Sequence, residues 1–146
     1  MSTNKDHRIV QPYLLFEGCC EEALEFYRKA LGAEITALVR FKDSPESGMC
    51  APDAGNKIMH SSFRIGESSV LASDGRCTGK PGFQGFSLSL LAVDDKEAER
   101  LFAALQDGGQ VFVPMGKTAF ASRFGIIADR FGVSWTIHAR PPGQKR

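Results

Sequence analysis

Apolar and polar side chains alternate over residues 9–16, the period-two pattern of a strand with one face on a core. Spacing then turns helical over residues 21–31, where Ala23, Leu24, Tyr27, Ala30 and Leu31 fall on one stripe. Glu21 and Glu22 complement the dipole at the start of this helix, and Gly32 stands where a left-handed cap favours glycine. Strands are expected at 34–41, 58–65 and 69–73, the last two joined by the tight turn Gly66-Glu67-Ser68. The second half repeats this order. A strand at 86–93 precedes a helix over about 96–105, capped by Asp94 or Asp95, with Ala98, Leu101, Phe102 and Leu105 on one stripe. Gly108-Gly109 ends it, and strands follow at 110–114, 124–129 and 133–139, the last two joined at Phe131-Gly132.

The repetition extends to residues. Glu22-Ala23-Leu24-Glu25-Phe26-Tyr27 matches Glu97-Ala98-Glu99-Arg100-Leu101-Phe102, and Gly32-Ala33-Glu34-Ile35 matches Gly108-Gly109-Gln110-Val111. Duplication explains this order and spacing better than chance. The expectation is a single α+β domain over 1–146, made of two strand–helix–three-strand modules at about 9–73 and 86–139. The Gly/Pro/Ser-rich stretches 43–57 and 74–85 read as loops within it.

Strand parity separates two faces. Val10, Leu14 and Phe16 oppose Gln11 and Tyr13; Met59, Phe63 and Ile65 oppose His60, Ser62 and Arg64. In the second half Phe86, Leu88 and Leu90 oppose Ser87 and Ser89, while Val133, Trp135 and Ile137 oppose Ser134, Thr136 and His138. One face suits packing under helices. The other carries hydroxyls, an amide, a phenol, imidazoles and a guanidinium, and reads either as a solvated sheet surface or as the wall of a concave polar pocket. Serines leave room for a ligand where a solvent face more often carries Lys, Glu and Thr.

Charge narrows the function classes. Eighteen basic residues against 17 acidic ones leave a formal net charge of +1, which disfavours a dedicated nucleic-acid binder. No apolar run approaches a membrane span, and the polar start lacks a signal-peptide core, so a cytoplasmic location is expected. Cys19, Cys20, Cys50 and Cys77 show no zinc spacing and are expected to be reduced thiols. Hydrophobic residues at 42% suit an ordinary soluble core, and the basic end from Arg140 reads as a frayed tail.

Among candidate chemical groups, His60 can bind metal, move a proton or donate a hydrogen bond, or serve as a sheet histidine. Cys19 and Cys20 precede the first helix, whose dipole is expected to lower a thiol pKa, with capping and packing as the alternative role. Arg123 and Lys117 beside Phe120 and Phe124 can anchor an anionic ligand at a cleft mouth, or be loop charges. Gly79, Gly82 and Gly85 fit no phosphate loop, and no GxSxG turn marks a nucleophilic serine.

Several ordered blocks, Pro12-Tyr13-Leu14-Leu15-Phe16-Glu17-Gly18, Lys57-Ile58-Met59-His60, Ser87-Leu88-Ser89-Leu90 and Asp129-Arg130-Phe131-Gly132-Val133-Ser134-Trp135, resemble the PhnB-like branch of the glyoxalase/bleomycin-resistance/extradiol-dioxygenase superfamily. The resemblance implies paired βαβββ modules curled around a cleft, commonly in a homodimer. It also implies metal-ligand positions, which fall on Gln11, between Val70 and Ala72, on Ser87 or Leu88, and near Thr136. Gln11 is a residue type that some metal-binding relatives use, and the other three positions lack the His or Glu such a site requires. The expected function is therefore small-molecule binding in the concave pocket, without a standard metal centre or cofactor. Gln11, Tyr13, His60, Ser62, Ser87, Ser89, Phe120, Arg123 and Thr136 are the expected ligand contacts. The alternative is a metal-dependent lyase, isomerase or oxygenase, with Gln11 and His60 as substitute ligands. A regulatory or nucleic-acid-binding role is least favoured. No Rossmann-type glycine turn of the kind an adenosylmethionine-dependent enzyme often uses is seen.

Overall fold

The computed structural model describes residues 7–44 and 54–141; the expectations for the leader before residue 7, for Cys50 and its loop, and for the tail from 142 lie outside the described residues. The first module runs β1 (Tyr13–Leu15), α1 (Cys20–Leu31), β2 (Glu34–Arg40), β3 (Ile58–Ile65) and β4 (Ser68–Ser73). The second runs β5 (Leu88–Ala92), α2 (Asp95–Gln106), β6 (Gln110–Gly116), β7 (Arg123–Ala128) and β8 (Ser134–Ala139). The strands form two four-stranded sheets, in the orders β1-β4-β3-β2 and β5-β8-β7-β6. The first strand of each module lies parallel to its last, and the other pairs are antiparallel. The fold is the α+β arrangement of two βαβββ modules that the patterning predicts.

β1 is much shorter than residues 9–16. Pro12 has no N–H to give a ladder, although its carbonyl accepts the Leu71 N–H at 2.9 Å. β5 likewise begins at Leu88, so Ser87 precedes the strand.

The two helices start differently. Asp94 caps α2 locally, accepting the Glu97 N–H at 2.8 Å, while Glu97 reaches back to the Val93 N–H at 2.9 Å. Cys19 occupies the same position before α1 but caps nothing with its side chain. Asp74, just beyond β4 and buried, does that work instead: it accepts the N–H groups of Gly18 and Cys20 at 2.8 and 2.9 Å and that of Ile58 at 2.7 Å. The expected low-pKa thiols are not found. Burial, with Asp74 adding repulsion, pushes Cys20 up to about 12, and burial raises Cys19 as well. Nor are all thiols reduced, since Cys77 is in a disulfide; loop placement in the fold, rather than spacing along the chain, brings it to a partner.

One buried cluster draws on both modules. Its centre is Tyr27 of α1, stacked on Phe63 of β3 at 5.6 Å between centroids and edge-on to Trp135 of β8 at 5.5 Å. The Tyr27 hydroxyl donates to Asp129 at 2.5 Å, and Trp135 Nε1 donates to the same carboxylate at 2.9 Å. Asp129 also accepts the N–H groups of Phe131 and Val133. Burial and the neighbouring Asp129 hold the Tyr27 phenol well above its ordinary range, which keeps it a donor. Because Tyr27 touches the apolar faces of both sheets, those faces look toward each other across α1. The polar face of each sheet is the one turned away from this shared core.

Candidate functional site: two open polar faces

On the first module's outward face Tyr13 lies across β4 from His60, its Oη 2.9 Å from His60 Nδ1 and the two rings edge-on at 5.7 Å. Partial burial holds the Tyr13 phenol above its ordinary pKa. Ser62, one pleat further along β3, shares a hydrogen bond with Thr36 at 2.5 Å. Leu15 and Leu71 stand beside these groups, so the face is half apolar. Arg64 is spent on Glu34, with which it pairs across the β2–β3 ladder.

The second module's outward face carries a hydroxyl chain. Ser134 Oγ donates to Ser87 Oγ at 3.0 Å, and Ser87 lies 2.8 Å from the Thr136 hydroxyl. Ser89 Oγ is 2.9 Å from His138 Nε2. Burial, reinforced by Arg140, holds the His138 imidazole below its ordinary pKa of 6.5. Phe124 and Ile126, opposite His138 and Thr136 on β7, supply the apolar half. Phe120 is exposed and meets Phe124 edge-on at 5.3 Å.

Parity thus places Tyr13, His60 and Ser62 on one outward face and Ser87, Ser89 and Thr136 on another. Among the described residues no hydrogen bond joins the first set to the second; each is linked within its own module. Gln11 lies with Ser87, Ser89 and Arg140 in a groove of about 1460 Å³ along the β5 edge, which residues 65–70 of the first module also line. Arg123 departs from the expectation. β7 starts one residue early, at Arg123, which turns that side chain toward α2, where it binds Glu99 at 2.7 Å and Asp95 at 3.4 Å. It clamps the helix through these two carboxylates and lines a shallow cavity with Lys117. Thr36, Ser134 and His138, not among the expected ligand contacts, join these groups through hydrogen bonds to Ser62, Ser87 and Ser89. Their parity with Ser62 and Thr136 was the available signal.

A divalent ion at the positions implied by the fold does not fit these residues. Ser87 and Thr136 are bound to each other, Leu71 has no donor atom, and Gln11 offers one neutral amide. Among the described residues, no three His, Cys, Asp or Glu side chains gather at one point.

Comparison with known proteins agrees with this architecture. A family profile described as 3-demethylubiquinone-9 3-methyltransferase matches residues 8–138. The chain is 34% identical over 139 residues to Protein YjdN of Escherichia coli K12, covering 88% of this chain and 93% of that protein. The crystal structure of protein PA1353 from Pseudomonas aeruginosa superposes with a TM-score of 0.80 at 40% identity, covering 91% of this chain and 98% of that one. The PhnB protein of Bacillus cereus gives 0.75 at 25% identity, covering 90% and 99%. The fosfomycin resistance protein FosX of Listeria monocytogenes, solved with Mn(II), shares the fold alone, at 12% identity and a TM-score of 0.64, covering 93% and 94%. The chain belongs to the PhnB-like 3-demethylubiquinone-9 3-methyltransferase family and has the glyoxalase/bleomycin-resistance fold.

Proposed function

We propose that this protein binds a small molecule without a resident metal, in a cleft built by two copies of the chain. The observation that carries this reading is the pair of sheet faces, each half polar and half apolar, that turn away from the core shared by the two modules. Beside each face runs a free strand edge, because β1 pairs only with β4 and β5 only with β8. Exposed apolar side chains flank both edges: Val10, Tyr13 and Leu15 at β1, Phe86 and Val93 at β5. Unpaired edges of this kind are covered in stable proteins. Pairing β1 of one copy with β5 of its partner, related by a twofold axis, covers both edges twice and joins the first module's face to the second module's face of the other copy.

The methyl transfer in the family's description does not fit the turn where a nucleotide-type cofactor is commonly held. The amides at the start of α1 are bound by the Asp74 carboxylate, and the turn holds one glycine, Gly18.

Light scattering at micromolar concentration is expected to give twice the 15.9 kDa chain mass. A monomer would remove the two-copy cleft. Protein purified without chelator is expected to be nearly metal-free in both wild type and His60→Ala. About one zinc, nickel or manganese per chain, lost in that variant, would establish the metal-dependent alternative instead.

A further inference from the structure

The charge inventory of the two faces goes further than binding alone, and it rests on the cleft reading above. Among the described strand residues that point outward, the charged side chains are Glu34 and Arg64, which neutralise each other. Everything else there is hydroxyl, imidazole, aromatic, aliphatic or, at Gln110, a neutral amide. The two histidines each sit against a hydroxyl from the first strand of their own module, Tyr13 with His60 and Ser89 with His138. The Ser134–Ser87–Thr136 chain can reverse its direction, since each hydroxyl both donates and accepts. Such a surface can meet a carbonyl or a hydroxyl equally well, but it has no free opposite charge for an ion losing its water.

We infer that the ligand is an uncharged, ring-sized molecule with both hydrogen-bond donors and acceptors on an apolar body, and not an anion. The apolar halves of the faces, Leu15 and Leu71 on one and Phe124 and Ile126 on the other, match such a body, and the aromatic rings offer edge and face contacts to a ring. Lys96 at the start of α2 and Arg140 are the cations of the groove that could contradict this, Arg100 there being paired with Glu97. Arg140 is the one on the strand side. It lies one residue past β8, is exposed, forms no ion pair among the described residues, and lines the groove beside Ser89.

A matched pair of compounds tests the inference: 4-hydroxybenzamide and 4-hydroxybenzoate, which share a ring and a hydroxyl and differ in charge. Each is titrated into the protein at pH 7.5 with chelator present, and the imidazole Cε1–H signals of His60 and His138 are followed by NMR. The amide is expected to shift both signals and to bind at least tenfold more tightly than the carboxylate. Ser87→Ala with Thr136→Val should weaken the amide about tenfold, and Arg140→Gln should leave it unchanged. Tighter binding of the carboxylate, or its loss in Arg140→Gln, would overturn the inference while leaving a binding role in place. Failure of the amide to move the imidazole signals of a dimer would also overturn it. A monomer by light scattering would instead remove the cleft on which it rests.

Discussion

The two helices of this molecule sit in the same place in their modules, yet they are held by carboxylates of opposite origin. α2 begins with Asp94, whose partner is three residues away. α1 begins with cysteines that cap nothing, and its amides are satisfied by Asp74 from the far end of the module. A local cap stabilises its own helix and little else. A distant buried carboxylate ties the β1–α1 turn, the start of β3 and the end of β4 into one unit, so its loss is felt by all three. The same contrast separates the outward faces from the seam between modules. Each face is held by pairs within its own sheet, whereas Asp129 binds Tyr27 of one module and Trp135 of the other.

Mutations can break this contrast in order. Asp74→Ala strips three buried N–H donors of their acceptor and should cost about 3–5 kcal/mol. Chemical denaturation checks it, and a loss near that of a surface cap would show that Asp74 does not hold the module together. Tyr27→Phe removes one of the four hydrogen bonds to Asp129 and leaves the ring stack intact, so about 1–2 kcal/mol is expected. If both modules still unfold in one transition, the remaining contacts suffice to couple them. Asp94→Ala should cost about 1 kcal/mol, the ordinary value for a local cap. A loss equal to that of Asp74→Ala would erase the difference between the helices.

The smallest effect expected is on pH dependence. The His138 imidazole is depressed below 6.5 in the folded protein by burial and by Arg140. The unfolded chain then binds the extra proton first as pH falls, so the contribution is complete above about 6.5 and is lost as pH drops through the folded pKa. The melting temperature should fall slightly from pH 7.5 to 5.5, and His138→Gln should flatten that slope.

What could be read from residues alone follows the same division between local and distant. The Asp94 cap, the Gly32 terminus and the two helical stripes are set by neighbours a few positions apart, and they were legible. Strand parity likewise sorted His60 from Phe63 and Thr136 from Trp135, because alternation survives wherever a strand is regular. Arg123 is not sorted this way, because the pattern places it in a loop; once it lies in β7, alternation from Phe124 puts it on the helix side. Asp74 and Asp129 carried no pattern at all, since their partners lie up to 102 residues away and are chosen by the fold. Nor could parity show that the apolar faces of the two sheets share one core, which depends on Tyr27 reaching both Phe63 and Trp135.

The claim that one cleft needs two copies is tested most directly by subunit mixing. One variant carries Tyr13→Ala and His60→Ala on the first module's face; a second carries Ser89→Ala and His138→Ala on the other. Each alone should form a dimer that no longer binds 4-hydroxybenzamide, because both of its clefts hold a damaged half. Mixed under conditions that exchange subunits, the heterodimer holds one cleft with both lesions and one with none. Calorimetric titration should then recover about one site of wild-type affinity per heterodimer. No recovery on mixing, with heterodimers shown to be present, would contradict the composite cleft.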